Sequence, residues 1–137
     1  MSTRIGLLED GFASYNSGHI SPDDPTIDRI APDAEWHSMV ARLPGQPFRG
    51  PDGFLEWYAE VQDVFRDPRV AAHRFQEDGD RVLVLGRFSA VGRASGAAID
   101  EPILHVFDFD GDERIRRYEA HLSPDEELMA RLGWATP

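Results

Sequence analysis

Apolar residues recur at helical spacing in two segments of the chain. In residues 3–17 they lie three or four positions apart and Gly18 follows as a C-terminal cap, which predicts an amphipathic helix. The second segment begins near Asp52 and ends at Asp67–Pro68, and it is predicted to be the strongest helix, over residues 52–66. Its wide apolar face consists of Phe54, Trp57, Tyr58, Val61, Val64 and Phe65.

Elsewhere the pattern changes to the two-residue alternation of β-strands. A short helix is expected after Ser21–Asp24, and Pro32–Asp33 is expected to stop it before the first strand begins. A tight turn at Asp110–Gly111–Asp112 is predicted to join the last two strands. The predicted strands are residues 34–40, about 70–77, 81–93, and two that lie within 102–122.

A terminal helix completes this order of elements. Ser123 is its predicted N-cap, Pro124 takes the first helical position, Glu126 completes a capping box, and Gly133 ends the helix. The sequence has no internal repeat and no linker, so residues 1–137 are predicted to form one domain. The order predicts an α+β fold: a cone-shaped, strongly curved, mostly antiparallel sheet wrapped around helices, with an internal apolar pocket.

Composition narrows the chemistry that is available. The chain has no cysteine, which excludes disulfides and thiolate chemistry, and its 14 basic residues are all arginine, which removes lysine-based catalysis. The net charge of −11 argues against a nucleic-acid partner, because phosphate binding needs a basic face. No apolar run approaches the roughly 18 residues of a membrane span, so we expect a cytoplasmic protein without a membrane partner.

Local motifs for metals and nucleotides are also missing from the sequence. No HExxH or His-x-His spacing occurs, and there is no glycine-rich phosphate loop. The segment DFDGDE at 108–113 lacks the 12-residue ligand pattern of a calcium loop and lies in a predicted hairpin turn. We therefore expect no metal and no cofactor.

A single imidazole interrupts the most apolar strand. His105 lies among Ile103, Leu104, Val106 and Phe107, and a buried polar side chain needs a partner or a ligand. Its near-neutral intrinsic pKa suits general acid–base catalysis or a hydrogen bond to a bound carbonyl. The alternative is a core histidine that a neighbouring side chain satisfies.

Arg87 is the next candidate, because it follows Leu83 and Leu85 on one face of its strand. An arginine on such a face normally pairs with a carboxylate or binds a substrate anion. Glu101 shares a strand face with His105, so an Arg87–Glu101–His105 network is predicted. Such a network would serve either catalysis or structure.

The last strand supplies further candidates for the pocket wall. Tyr118 shares one face with Arg116 and Ala120, whereas Ile115 is expected on the opposite face. Of these, the tyrosine is more typical of a pocket wall than of an acid catalyst.

Two tryptophans are expected beside the same pocket. Trp36 alternates with Ala34 and Ser38, so Trp36 and Ser38 are predicted to face the pocket, with Glu35 and His37 on the other side. The indole of Trp36 is expected to supply shape and apolar area. From the long helix, the residues expected to line or close the pocket are Trp57 and Tyr58.

The order of these segments resembles the SnoaL-like families of the nuclear-transport-factor-2-like superfamily, over essentially the whole chain. The resemblance is carried by FASYNSGHI, IAPDAEWHS, FRGPDGFLEWY, DGDRVLVLGRFSAVGRASG, PILHVF and RRYEAHLSPDE. It implies a curved sheet around helices, a mostly apolar cavity and a dimer through the outer sheet face. The reaction stays open, because such families include polyketide cyclases, ketosteroid isomerases, limonene-epoxide hydrolases, dehydratases and non-catalytic binders.

The resemblance also implies positions for catalytic groups, and four of these positions hold other residues here. Ser38 stands where similar isomerases have a carboxylate base, and Gly11 stands where they have a tyrosine. Ala120 replaces an Asp that similar cyclases and hydrolases place on the last strand. Arg87 matches an arginine of the hydrolases, but Ser89 replaces its Asp partner.

His105 matches a position where similar isomerases keep a protonated carboxyl group and cyclases often keep a histidine. We therefore expect a pocket protein that acts on a small, largely hydrophobic metabolite. The expected chemistry is that of a cofactor-independent cyclase, isomerase, dehydratase or hydrolase, with His105 as acid or base and with Arg87 and Tyr118 orienting the substrate. The alternative is a non-catalytic ligand-binding or accessory module, which the vacant carboxylate positions favour.

A homodimer is predicted from the strand at 99–109, which is apolar on both faces. Ile103 and Phe107 can face the cavity, which leaves Leu104 and Val106 on the convex face. An uncovered sheet face would form a large apolar patch, so a second copy of the chain is expected to cover it.

Overall fold

The computed structural model describes residues 3–39 and 46–135. Its α-helices are α1 (Thr3–Asn16), α2 (Gly50–Val64) and α3 (Glu126–Leu132), with a 3₁₀ helix at Pro25–Arg29. The strands are β1 (Ile30–Trp36), β2 (Phe48–Arg49), β3 (Phe65–Asp78), β4 (Arg81–Gly92), β5 (Ala98–Phe109) and β6 (Ile115–Leu122). Over these two ranges the strands form one sheet in the order β2-β1-β6-β5-β4-β3, parallel at β1–β6 and antiparallel elsewhere.

The main core lies between the helices and the concave face of the sheet. One face of β4 and β5, including Phe88 and Ile103, is buried against Leu8 of α1 and against Phe54 and Trp57 of α2. The sheet is not closed into a barrel, and β-bulges in β3 add to its bending. The predicted α+β cone, with the long helix on the concave side, is confirmed.

The first strand begins earlier than the sequence predicted. Pro32 does not stop a helix but lies within β1. The missing N–H of Pro32 is tolerated there because the pairing of β1 with β6 is irregular between Ile30 and Glu35. The strand ends at Trp36, so the predicted range 34–40 is wrong at both ends, and residue 40 itself falls outside the described residues.

Two helix boundaries also differ from the prediction. α2 ends at Val64, and Phe65 already belongs to β3. The N-cap of α3 is Asp125 and not Ser123, since the Asp125 carboxylate accepts a hydrogen bond of 2.8 Å from the Leu128 N–H. Gly133 ends α3 in the left-handed conformation, as expected.

The C-terminal helix packs on the convex face of the sheet. Trp134, which follows α3, buries Leu83, Leu104 and Val106 there, and Met129 adds to this contact. The apolar face that was expected to need a second copy of the chain is therefore covered here by the chain itself. The argument for a homodimer from an uncovered face is thus wrong for these residues, and the homodimer itself stays a prediction.

Within the described ranges, no helix is both long enough and apolar enough to cross a bilayer. The expected cytoplasmic location stays a prediction.

Candidate ligand-binding cavity

A cavity of about 60 Å³ lies between α1, α2 and the concave face of the sheet. Most side chains around it are aromatic or aliphatic, and within residues 3–39 and 46–135 no Asp, Glu or Arg lines it. The lining side chains with nitrogen or oxygen atoms are Tyr15, Thr26, Trp36, His37, Ser38, Trp57, His105 and Tyr118.

His105 and Tyr118 form a hydrogen-bonded pair on the wall of this cavity. The His105 Nδ1 atom lies 2.8 Å from the Tyr118 hydroxyl oxygen, and both side chains are at most 5% exposed. Burial lowers the pKa of His105 from 6.5 to about 3, and it raises the pKa of Tyr118 well above 10. Both groups are therefore neutral at neutral pH.

The two nitrogens of His105 have different surroundings. Nδ1 is satisfied by Tyr118, whereas Nε2 is buried without a hydrogen-bond partner in the described part of the chain. If Nε2 carries the proton, Tyr118 donates to Nδ1 and an N–H remains free for a ligand. If Nδ1 carries the proton, it donates to Tyr118, and then the Tyr118 O–H and the Nε2 lone pair both remain free.

Strand register explains why these two side chains meet. His105 of β5 pairs with Ala120 of β6, and Phe107 pairs with Tyr118, so His105 and Tyr118 are diagonal neighbours on one face. The ring of Phe12 from α1 covers the imidazole, with ring centroids 5.0 Å apart. The imidazole is thus enclosed by aromatic rings.

Because of a bulge in β6, two residues lie on different sides of the sheet from those predicted. Asp108 pairs with Arg117 and Phe109 pairs with Ile115, which leaves Arg116 as an extra residue. The bulge puts Ile115 on the cavity side together with Tyr118. Arg116 is exposed and does not line the cavity, contrary to the prediction.

Trp36, Ser38 and Trp57 line the cavity as the sequence predicted. The Trp36 ring stacks on Tyr118, with centroids 4.7 Å apart. Its Nε1 atom is buried without a hydrogen-bond partner among the described residues. Ser38 donates to a carboxylate oxygen of Glu60 at 3.0 Å.

The predicted Arg87–Glu101–His105 network does not form. Arg87 is exposed and donates to the carboxylate of Asp100 at 2.9 Å, while Glu101 accepts a hydrogen bond from Ser123. The reason is the choice of face: Val84 pairs with His105 and faces the helices, so Arg87 lies on the convex side.

Ser89 does not line the cavity, because it lies on the same strand face as Arg87, which is the convex side. Tyr58 is buried and donates its hydroxyl hydrogen to the Tyr15 carbonyl at 3.0 Å, which makes it a core residue. Ala120 packs against the edge of the core without lining the cavity.

The sequence missed His37 and much of α1. His37 was expected to face away from Trp36, but it lines the cavity, with Nε2 3.0 Å from a carboxylate oxygen of Glu35. Alternation no longer applies to His37 because β1 ends at Trp36. Of the residues on the amphipathic face of α1, Phe12 lines the cavity, and that face was the available signal.

No group of three or more His, Cys, Asp or Glu side chains that could hold a metal ion occurs within the described ranges.

Several solved structures share this fold. An NTF2-like protein of unknown function from Burkholderia pseudomallei has 24% sequence identity and a TM-score of 0.73, covering 98% of this chain and 100% of that chain. TerC, co-crystallised with polyporic acid, has 25% identity and a TM-score of 0.73 over 96% of this chain and 98% of its own. IdmH from Streptomyces antibioticus, a putative polyketide cyclase, has 21% identity and a TM-score of 0.68, covering 96% of this chain and 98% of that chain.

No curated protein matches the chain at a significant level. Residues 9–118, however, match the sequence profile of the SnoaL-like domain. This match spans most of the chain and agrees with the cone-shaped α+β fold, and the chain therefore belongs to the SnoaL-like domain family.

Proposed function

We propose that the cavity binds a small, largely hydrophobic metabolite and that His105 and Tyr118 act on it without a cofactor. The observation that carries this proposal is the Nε2 atom of His105, which is buried beside the cavity and has no partner among the described residues. A buried polar atom without a partner costs free energy. A ligand atom at hydrogen-bonding distance would remove that cost.

The proposed chemistry uses a neutral imidazole. With a pKa of about 3, His105 does not supply an imidazolium acid at neutral pH. Its free Nε2 lone pair accepts a proton from a carbon beside a ligand carbonyl, while the Tyr118 O–H donates to the oxygen that becomes negative. Such a proton transfer is a step of cyclisation, isomerisation and dehydration, and a neutral Nε2 could equally orient water for hydrolysis.

A second candidate function is a non-catalytic ligand-binding or accessory module. Gly11 and Ser38 line the cavity at positions where similar enzymes carry a tyrosine and a carboxylate base. Neither residue supplies such a group here. The low pKa of His105 also makes it a weak base.

The relatives support a cyclic organic ligand. TerC was crystallised with polyporic acid, and IdmH is described as a putative polyketide cyclase. We place the proposed activity in the cytoplasm, in line with the expectation from the sequence.

Hydrogen exchange into a simple ketone separates the two candidate functions. We expect the protein to accelerate deuterium uptake into the methyl group of acetophenone in D₂O, and His105→Gln to lower this rate at least tenfold, equivalent to about 1.4 kcal/mol. The measurement is proton NMR of the methyl signal over time. His73→Gln, at an exposed histidine of β3, is the matched control and is expected to keep the wild-type rate.

Binding of acetophenone without accelerated exchange would contradict the catalytic proposal and favour the binding module. A melting curve of His105→Gln shows whether the variant is folded. A large loss of stability with unchanged binding of acetophenone would make His105 a structural residue, which contradicts the catalytic proposal and is compatible with the binding module.

A further inference from the structure

A residue of the cavity wall, Trp36, carries a second buried nitrogen without a partner among the described residues. Trp36 is 4% exposed and lines the cavity, and its Nε1 has no hydrogen-bond partner in residues 3–39 and 46–135. An indole N–H is a donor and never an acceptor. Buried indole N–H groups usually find an acceptor, so this one calls for an explanation.

The nitrogen of Trp36 belongs to the same wall as the pair formed by His105 and Tyr118. Trp36 of β1 pairs directly with Tyr118 of β6, and His105 lies on β5, the next strand of the sheet. The Trp36 and Tyr118 rings are 4.7 Å apart, and those of His105 and Tyr118 are 5.8 Å apart. One wall of the cavity therefore carries three neighbouring polar groups opposite aromatic side chains such as Phe12 and Phe54.

The electrostatics of the cavity favour a neutral ligand. No Asp, Glu or Arg among the described residues lines it, so an ionised ligand would lose its water without gaining a counter-charge. The net charge of −11 also repels anions from the whole protein. A neutral oxygen acceptor satisfies a donor without this penalty.

The volume of the cavity favours a small ligand. A cavity of about 60 Å³ is small and favours a compact ligand. Acetophenone, a single ring with one short substituent, is a compact probe with one carbonyl oxygen.

We propose that Trp36 is a ligand-recognition residue whose indole N–H, beside the hydroxyl of Tyr118 and the imidazole of His105, binds the oxygen of a compact neutral carbonyl compound. This inference rests on the proposed function, because it names the ligand class of the same cavity. It adds that the cavity selects a neutral carbonyl over a carboxylate of the same size, and that Trp36 contributes to this selection through its nitrogen as well as through its shape.

Three probes of similar shape test this inference. They are acetophenone, α-methylstyrene, in which a CH₂ group replaces the carbonyl oxygen, and benzoate, which is ionised at neutral pH. In ¹H–¹⁵N NMR spectra the indole signal of Trp36 is assigned by its loss in Trp36→Phe. We expect acetophenone to shift this signal downfield, α-methylstyrene to cause no such shift, and benzoate to bind at least tenfold more weakly than acetophenone.

The affinities of two variants provide the matched comparison. Trp36→Phe is expected to weaken acetophenone binding about tenfold and to change α-methylstyrene binding less than about twofold. Trp57→Phe is the control, because Trp57 also lines the cavity but its nitrogen is not among the buried unpartnered atoms. It is expected to weaken both probes by the same factor.

Several results would overturn the inference. If Trp36→Phe weakens the binding of acetophenone and of α-methylstyrene by the same factor, Trp36 contributes only apolar contact area. If benzoate binds as tightly as acetophenone, the proposed neutral ligand class is wrong. If Trp36→Phe does not fold, the NMR shift of the Trp36 indole signal in the wild-type protein remains as the test. The same shift with acetophenone as with α-methylstyrene would contradict the proposed hydrogen bond. If no probe perturbs any cavity signal, the proposed binding function fails together with the inference.

Discussion

At the scale of the residue, the proposed function depends on the charge state of His105. The imidazole is 2% exposed, and its Nδ1 is bonded to a neutral hydroxyl, so this partner supplies no negative charge to offset the cost of protonation. The side chain is therefore a neutral hydrogen-bonding group at physiological pH. In the proposed function, its role therefore depends on its position and on the partner Tyr118, and not on a positive charge.

This burial predicts a specific dependence of stability on pH. In the unfolded chain His105 binds a proton near pH 6.5, whereas in the folded protein it does so only near pH 3. Between these values the unfolded state binds more protons, so the free energy of unfolding falls as the pH is lowered from about 6.5 toward 3. A single group of this kind contributes a slope of up to about 1.4 kcal/mol per pH unit.

Chemical denaturation at several pH values between 4.5 and 7 measures this slope. We expect His105→Leu to lose stability at pH 7, because the Tyr118 hydroxyl loses its partner, but to have a shallower decline toward acid than the wild-type protein. His73→Gln, at an exposed position, is expected to keep the wild-type slope. Parallel curves for the wild-type protein and His105→Leu would contradict the burial argument.

The position of a single residue could be predicted where the alternation of apolar and polar residues in its strand includes that residue. Alternation placed Trp36 and His105 on the cavity wall, because each lies within a strand. Ser38 also lines the cavity, but it follows the end of β1, so alternation does not explain its position. Alternation in β4 grouped Arg87 correctly with Leu83, but both faces of that strand are apolar. The pattern therefore contained no information on which face would meet the helices.

At the scale of the element, the bending of the sheet depends on a close approach between β3 and β4. A bulge in β3 between Ala72 and Arg74 brings its backbone over Gly86, and a Cβ at Gly86 would overlap the carbonyl oxygen of Ala71. Only glycine fits there without a shift of the backbone. The sequence showed a glycine within a strand, but it did not show which strand would cross it.

Substitution of Gly86 tests this account. Gly86→Ala is expected to lower the free energy of unfolding by about 1–3 kcal/mol, because the added methyl group overpacks the contact with β3. Gly6→Ala is the control: its Cβ would meet nothing within 4 Å and it lies in α1, so a gain of up to about 1 kcal/mol is expected. Urea denaturation of both variants measures the two changes. An unchanged free energy of unfolding for Gly86→Ala would show that β3 can move away from residue 86 at little cost.

Element boundaries were less predictable than element types. The type of each helix and long strand followed from its period, but the end of β1 at Trp36 depends on pairing with a distant strand. The bulge at Arg116 likewise depends on the register between β5 and β6. Strand pairing of this kind is not visible in the local pattern of apolar and polar residues, which is why Ile115 was predicted on the wrong face.

At the scale of the whole molecule, the convex face now has two parts. Around Leu104 it is covered by Trp134 and α3. Elsewhere it carries charged side chains, including Arg87, which pairs with Asp100, and Arg117, which lies 3.8 Å from Glu119. A homodimer through this face would therefore use a polar interface around the edge of α3, in contrast to the apolar one expected from the sequence.

Light scattering at micromolar concentration tests the homodimer directly. We expect a mass of two 15.4 kDa chains, and because the remaining interface is charged, we expect dissociation to increase with salt concentration. A mass of one chain at low salt would contradict the prediction. A dimer whose stability is independent of salt would contradict the polar interface.

The parallel pairing of β1 with β6 has a consequence for the order in which the molecule assembles. Trp36 and Tyr118, which stack on the cavity wall, belong to strands that lie far apart in the sequence. Bringing them together closes a loop that contains α2 and β3–β5, and the entropy of that closure opposes folding before the two rings touch. During synthesis on the ribosome, the wall that carries the polar groups therefore cannot exist until β6 has emerged.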